Sequence, residues 1–281
     1  MTSAIVTGGA SGIGYETARG LAAAGIDVTL AVRDLESGRR AAAEIGGGVG
    51  VARLDLADLA TVRAFAAAWD RPLDILVNNA GIMALPELTR TGDGWELQFA
   101  TNHVGHAALA LGLHDALAAA GSARVVVVAS AAHLMSPVHF DDLHFERRPY
   151  DPWQAYAQSK TANILFAVGA AERWKGDGIT VNAVHPGGIM TNLQRHLDEA
   201  ALAFVGAKDE HGATLAVPPG WKTPEQGAST SLLVATGPVG VTGRYFADDR
   251  EVPVGPELAA YAVDPVLADR LWEETGRLLA G

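Results

Sequence analysis

Ser3–Gly25 reads SAIVTGGASGIGYETARGLAAAG. Ala4, Ile5 and Val6 form a short apolar run, Gly8 to Gly14 a glycine-rich turn, and Tyr15 to Ala24 a helical pattern that Gly25 ends. A strand, a tight loop and a helix start in that order present unpaired backbone N–H groups and the positive end of a helix dipole to an approaching phosphate. Glycine suits the loop because a side chain would hold the backbone away from the anion. The spacing Gly8, Gly12, Gly14 differs from the commonest dinucleotide fingerprint, G-x-G-x-x-G, and a ligand-free sharp turn is the alternative for the loop taken alone.

Outward from this unit, strands are predicted near residues 27 to 32, 49 to 54, 73 to 78, 123 to 130, 178 to 184 and 243 to 246, with helical patterns between them. Val125 to Ala129, VVVVA, is apolar throughout, as expected of a strand covered on both faces. The alternation predicts an α/β fold, a Rossmann-type doubly wound sheet of about seven mostly parallel strands with helices on both faces. In such sheets ligands bind beyond the C-terminal strand ends, and Gly8, Arg33, Asp55, Asn78, Ser130 and Pro186 all fall at or just past them. No Pro/Gly/Ser-rich linker interrupts the pattern, so the 281 residues read as one domain.

Hydrophobic residues make up 49% of the chain, enough for a large core, and the formal net charge is −11. That charge argues against nucleic acid or an anionic membrane as partner. With no cysteine there is neither a disulfide framework nor a Cys-based metal site. The first strand starts close to Met1 and no apolar run approaches the ~20 residues of a membrane span, so the expectation is a cytoplasmic protein.

Two further features carry chemistry. At the end of the second predicted strand, an acidic residue would favour NAD, whereas this chain has Val32 followed by Arg33. A guanidinium suits a 2′-phosphate, so NADP(H) is favoured over NAD(H), a solvated loop charge being the alternative. Asp34 and Glu36 are close enough to neutralise Arg33, and Arg39 and Arg40 to add to its field. Farther on, Tyr156 and Lys160 stand four apart in AYAQSKTANILF, on a predicted helix from Trp153 to Trp174, and so share a face. A free phenol titrates near 10, and a cation at ~4 Å in an effective dielectric of about 20 favours the phenolate by about 4 kcal/mol, roughly three pK units before screening. Lys160 is expected to lower the Tyr156 pKa in this way.

With these motifs the chain resembles a classical short-chain dehydrogenase/reductase along nearly its whole length. Thr7, Gly8, Gly12, Ile13 and Gly14 match the family's TGxxxGxG turn, which also contains Ser11. Asp55 and Leu56 match its adenine-contacting pair, and Asn78, Asn79, Ala80 and Gly81 its NNAG. Asn102, Ser130, Tyr156 and Lys160 fall where the family carries its catalytic tetrad, and Pro186 with Gly187 matches its PG turn. The resemblance implies a hydride exchanged with a nicotinamide and a proton exchanged with Tyr156. It implies that Lys160 also binds the nicotinamide ribose, that Ser130 holds the substrate oxygen, and that Asn102 bends its helix and supports a proton relay. Ile189 and Thr191 would hold the nicotinamide half. The plainer alternatives are a strand-end cap for Ser130, a solvated helix residue for Asn102, a turn for Asn78, a helix cap for Asp55 and an N-cap for Thr191.

RDLESGRR, LDLADLATVRAF, TNHVGHAAL, HFDDLHF, YAQSKTANILF and VHPGGIMTNL are similar to the branch holding retinol dehydrogenases. The branch implies a bulky lipophilic carbonyl or alcohol as small-molecule partner. The missing membrane segment weakens retinol itself, and the missing cysteines set protochlorophyllide reductases aside. Residues 190 to 223, with Leu193, Leu197, Leu202, Phe204 and Trp221, are expected to form an apolar lid, ordinary surface structure being the alternative. By resemblance the helices of Asn102 and Tyr156 would make a homo-oligomer, a dimer or tetramer, unless longer loops obstruct it. Among the histidines, His103 with His106 and His139 with His144 lack metal-site spacing, and no metal is expected. Asp141 with Asp142 reads as a solvated loop. A protein that binds NADP without chemistry, a sensor or scaffold, is the alternative to an enzyme.

Overall fold

A computed structural model describes residues 1–209, 211–238 and 240–280. Position 210 of the expected lid lies outside them. The strands are β1 (Ser3–Thr7), β2 (Asp27–Val32), β3 (Gly50–Arg53), β4 (Ile75–Asn78), β5 (Ala123–Val128), β6 (Ile179–His185), β7 (Tyr245–Ala247) and β8 (Arg250–Glu251). They form one sheet in the order β3-β2-β1-β4-β5-β6-β7-β8. Every neighbouring pair is parallel except β7 with β8, a two-residue antiparallel edge that no alternation in the sequence announces. The helices are α1 (Gly12–Ala23), α2 (Leu35–Ile45), α3 (Leu59–Ala67), α4 (Leu97–Phe99), α5 (Gly105–Gly112), α6 (His114–Ala119), α7 (Pro152–Arg173), α8 (Glu199–Phe204), α9 (Pro224–Thr236) and α10 (Pro265–Ala280). No helix among the described residues is long and apolar enough to cross a membrane.

Two apolar layers sandwich the sheet. Ala4, Val6, Val126 and Val128 point to the layer of α1, α2 and α9, while Ile5, Val125 and Val127 point to the layer of α3, α5, α7 and α10. Alternate residues of one strand thus enter opposite cores, which is why VVVVA carries no polar position. The strand order reverses between β1 and β4, and the chain leaves their ends in opposite directions. A crevice opens there, at the C-terminal edge of the sheet.

Helix α1 begins at Gly12, inside the glycine loop, and not at Tyr15 as the apolar pattern predicts. Its first internal bond runs from Tyr15 N to Ser11 O, so the N–H groups of Gly12, Ile13 and Gly14 have no partner within the helix. Gly12 has φ +57°, and a Cβ on Gly14 would stand 2.6 Å from Gly8 O, so both positions require glycine.

Helix α7 is buried nearly all round, since α10 covers the side that an outer helix would turn to solvent. Trp272 of α10 stacks on Phe166 at 5.8 Å, and Thr275 meets His103 at 2.8 Å. The buried polar residues of α7 are all engaged. Gln158 donates to Leu143 O, Ser159 to Tyr156 O, Thr161 to Ser136 O and Asn163 to Val128 O. A helix so fixed has little freedom to reorient Tyr156 or Lys160.

Candidate active site

A cavity of about 800 Å³ runs along the C-terminal edge of the sheet. Gly8, Ser11, Gly12, Ile13 and Gly14 line one end with Arg33, Asp55 and Leu56. Ala80, Gly81, Ser130, Tyr156, Lys160, Pro186, Gly187, Ile189 and Thr191 line the remainder of the expected site. Asn78 and Asn102 do not reach the wall. Asn78 is buried, its amide donating at 3.5 Å to His106 O, and the neighbouring Asn79 faces the cavity instead. Strand alternation accounts for this, because consecutive residues at the end of β4 point to opposite sides.

Asn79 and Thr7 tie the ends of β1 and β4 together. The Thr7 hydroxyl accepts the N–H groups of Asn79 at 2.9 Å and Ala80 at 3.0 Å, and Asn79 Nδ2 donates to Thr7 O at 2.8 Å. Beyond them, His106 spans from Thr7 Oγ1, 2.8 Å from its Nε2, to Asn102 O, 3.0 Å from its Nδ1. Burial drives the His106 pKa down to about 4, so the ring is neutral at pH 7. A carbonyl only accepts, so Nδ1 carries the proton and Nε2 accepts from Thr7. Burial likewise brings His103 to about 3. Both histidines are polar struts of the core, and among the described residues no three His, Cys, Asp or Glu side chains gather as metal ligands.

Asn102 lies one layer behind the wall, in a π-type turn (Ala100–Val104) that widens the helix between α4 and α5. Its Oδ1 accepts from Ile82 N, and its Nδ2 donates to Ile82 O and to Ser159 Oγ, each at 2.9 Å. The side chain that competes with helix bonding in the sequence thus brackets both backbone groups of one cavity-wall residue, Ile82. A Cβ built on Gly81 would lie 3.2 Å from Asn102 Oδ1 and 3.8 Å from Lys160 Nζ, so only glycine separates the two.

Lys160 Nζ donates to Val128 O at 3.0 Å and stands 5.6 Å from the centre of the Tyr156 ring. The expectation that Lys160 lowers the Tyr156 pKa is not met. Burial pushes the phenol up to about 12, and the nearby Ser130 hydroxyl opposes only part of that rise. Burial also lowers Lys160 to about 8. Removing both groups from water disfavours phenolate and ammonium alike, and desolvation is the dominant cause of both shifts. In the protein's own field Tyr156 is a protonated donor.

Several alternative roles coexist with cavity-facing ones. Ser130 accepts from Ala132 N as a strand-end cap, Thr191 caps the turn that follows it, and one Asp55 carboxylate oxygen accepts from Ala57 N. Asp142 accepts from three backbone N–H groups of its own loop, at Glu146, Arg147 and Arg148. At the far end, Leu193 and Leu197 pack with Met83, Ala84, Trp153 and Tyr156, and the Trp153 and Phe204 rings are 6.1 Å apart. Met83, Trp153 and Arg195 are cavity residues that the motifs do not name, and Asn79 is a motif residue for which no site role is expected. Tyr156 and Trp153 share a face at i, i+3, which is the one signal in the sequence for Trp153.

Residues 2–202 match the family described as short chain dehydrogenase. A Streptomyces lividans protein named "Probable oxidoreductase" is 56% identical over 96% of this chain and 95% of its own length. Human retinol dehydrogenase 13 is 40% identical, over 98% of this chain and 83% of that protein. The chain is also similar to the Pseudomonas aeruginosa RhlG/NADP active-site complex, with TM-score 0.68, 29% identity, and coverage of 88% here and 94% there.

Proposed function

Because this chain belongs to the short-chain dehydrogenase family, in the branch with the retinol dehydrogenases, we propose that it is an NADP(H)-dependent oxidoreductase reducing a bulky apolar ketone or aldehyde. The reverse reaction would oxidise the corresponding alcohol. One observation carries this reading: Tyr156, Ser130 and Lys160 line the same cavity as the glycine loop, with a pathway of contacts to Asn102 behind them.

The nicotinamide would supply or accept the hydride, and its positive charge in the oxidised form would favour phenolate. The chain's own residues do the rest. The free N–H groups at the start of α1 hold phosphate, and Ser11, whose hydroxyl makes no capping bond, adds a donor. Arg33 takes the 2′-phosphate. Asp55 and Leu56 hold adenine, and Lys160, Ile189 and Thr191 position the nicotinamide half. Ser130 donates to the substrate oxygen, and Tyr156 gives its proton to the forming alkoxide. Asn102, fixed by Ile82 and Ser159, supports the relay that returns a proton toward Lys160.

Met83, Trp153, Leu193, Phe204 and Trp221 give the substrate end an apolar wall, which supports a lipophilic carbonyl. The test is consumption of NADPH in the presence of a panel of aromatic and long-chain ketones and aldehydes, followed by absorbance. Cofactor binding with no turnover of any panel member would support the sensor reading instead.

A further inference from the structure

The segment after β6 folds back over the cofactor end of the cavity. Thr191 lies so close to the glycine loop that a Cβ on Gly12 would stand 3.1 Å from Thr191 Cγ2. Thr191 caps a short turn, Asn192–His196, and Arg195 of this turn lines the same cavity as Arg33. Two elements far apart in sequence, the end of β2 and the turn after β6, therefore bring two guanidinium groups to one mouth.

Neither group makes an ion pair among the described residues. Arg33 has no carboxylate partner among the described residues, and Arg195 has one hydrogen bond, from Nη1 to Asn192 O at 2.7 Å. The acids nearest to Arg33 in sequence are committed elsewhere. Asp34, which lines the same cavity, turns its carboxylate to Glu36 N at 3.0 Å and Ser37 Oγ at 2.5 Å, capping α2 without an ion pair to Arg33, and Glu36 pairs with Arg40. Arg195 is held below the usual guanidinium range, first by partial burial and then by the charge of Arg33. In a chain with 32 acidic and 21 basic side chains, two cations lining one cavity with no ion pair among the described residues are conspicuous. Like charges at one mouth repel until an anion lies between them, and a dianion relieves both at once. A guanidinium with one N–H on a backbone carbonyl retains four donors, enough for a forked contact with a phosphate.

We propose that Arg195 is the second half of the 2′-phosphate site, closing on it from the side opposite Arg33. This rests on the NADP(H) reading of Arg33 and extends it to the substrate. The same turn that carries Arg195 also carries Leu193, and Leu197 follows it. Both leucines pack with Met83, Ala84 and Tyr156. A phosphate held by Arg195 thereby fixes part of the substrate wall, so NADPH presets the substrate end and NADH does not.

The test is equilibrium binding of NADPH, NADH, adenosine 2′,5′-bisphosphate and 5′-AMP to the full chain, to Arg33→Ala, to Arg195→Ala and to Arg195→Lys. Arg195→Ala is expected to weaken NADPH and the bisphosphate by about tenfold to a hundredfold while NADH and 5′-AMP change less than about twofold. Arg195→Lys should recover part of the loss, since the charge is kept and the fork is not. In turnover, Arg195→Ala should raise the ketone KM with NADPH and leave it unchanged with NADH. Equal weakening of NADPH and NADH, or no weakening of either, overturns the assignment. If Arg33→Ala selectively weakens NADPH and Arg195→Ala does not, only the Arg195 inference falls. If the wild-type chain binds the bisphosphate no better than 5′-AMP, the NADP(H) reading itself falls, and this inference with it.

Discussion

The two ends of the cavity are built in opposite ways. At the cofactor end the walls are strand ends and helix starts, cross-tied by Thr7, Asn79 and His106 through buried hydrogen bonds. The substrate end is walled by the segment that begins at Met190, whose first turn also reaches the cofactor end through Arg195, and its short helical pieces, Asn192–His196 and α8, contain no buried residue. Phe204, the largest apolar side chain of α8, is 74% exposed. Chemistry is thus assigned to a region that costs much to distort, and substrate choice to one that costs little.

That contrast can be broken or sharpened by substitution. The largest effect is expected at Tyr156→Phe. Loss of the phenolic proton should cut kcat at least ~10²-fold with NADPH affinity unchanged. Ketone turnover and cofactor titration on the same preparation check it, and activity near the wild-type level would sink both the enzyme reading and the contrast.

Lys160→Met should separate function from stability. The folded-state pKa of Lys160 is lowered to about 8, so below that pH the native protein holds a buried ammonium that the unfolded chain solvates freely. The wild-type protein should therefore gain stability as pH rises from about 8 to the unfolded value near 10.5, where the unfolded state binds the extra proton. Lys160→Met removes this burden, and Val128 O keeps Asn163 as donor. Urea unfolding at pH 7 should show a gain on the order of 2–3 kcal/mol that shrinks toward pH 10.5, together with lost turnover. A destabilised variant at pH 7 would refute the electrostatic account of this site.

Gly14→Ala tests the rigidity of the cofactor end. The added Cβ would stand 2.4 Å from Asn79 Nδ2 and 2.6 Å from Gly8 O, and the second of these is backbone that cannot step aside. About 1–3 kcal/mol of stability should be lost, with weaker binding of NADPH and NADH alike. Phe204→Ala tests the other end and should do the least. Thermal unfolding should barely move, while the KM for a bulky ketone rises about threefold to tenfold and the KM for a small one does not. A large stability loss there would mean that the wall is as rigid as the strand ends.

The same division governs what the sequence makes legible. Strand positions were readable because VVVVA and its companions have two covered faces, and the motif residues of the cofactor end sit at strand termini whose geometry follows from the sheet. Seventeen residues expected at the site reach the cavity. Asn78 misses it by one step of strand alternation. Arg195 escaped because its approach to Arg33 depends on the path of an irregular segment, for which no periodicity exists to read. The rise of the Tyr156 pKa is hidden for a related reason: spacing along a helix places two groups side by side, but it says nothing of how dry their surroundings are.

Helix α10 gives the Asn102 and Tyr156 helices a neighbour from the same chain. A cover supplied by a second subunit is lost on dilution, whereas one joined through the backbone has a local concentration that dilution does not change. Trp272 on Phe166 and Thr275 on His103 hold that cover against the elements behind the tetrad. A chain ending before Pro265 is therefore expected to lose activity at every protein concentration, even where every residue of the cavity is intact.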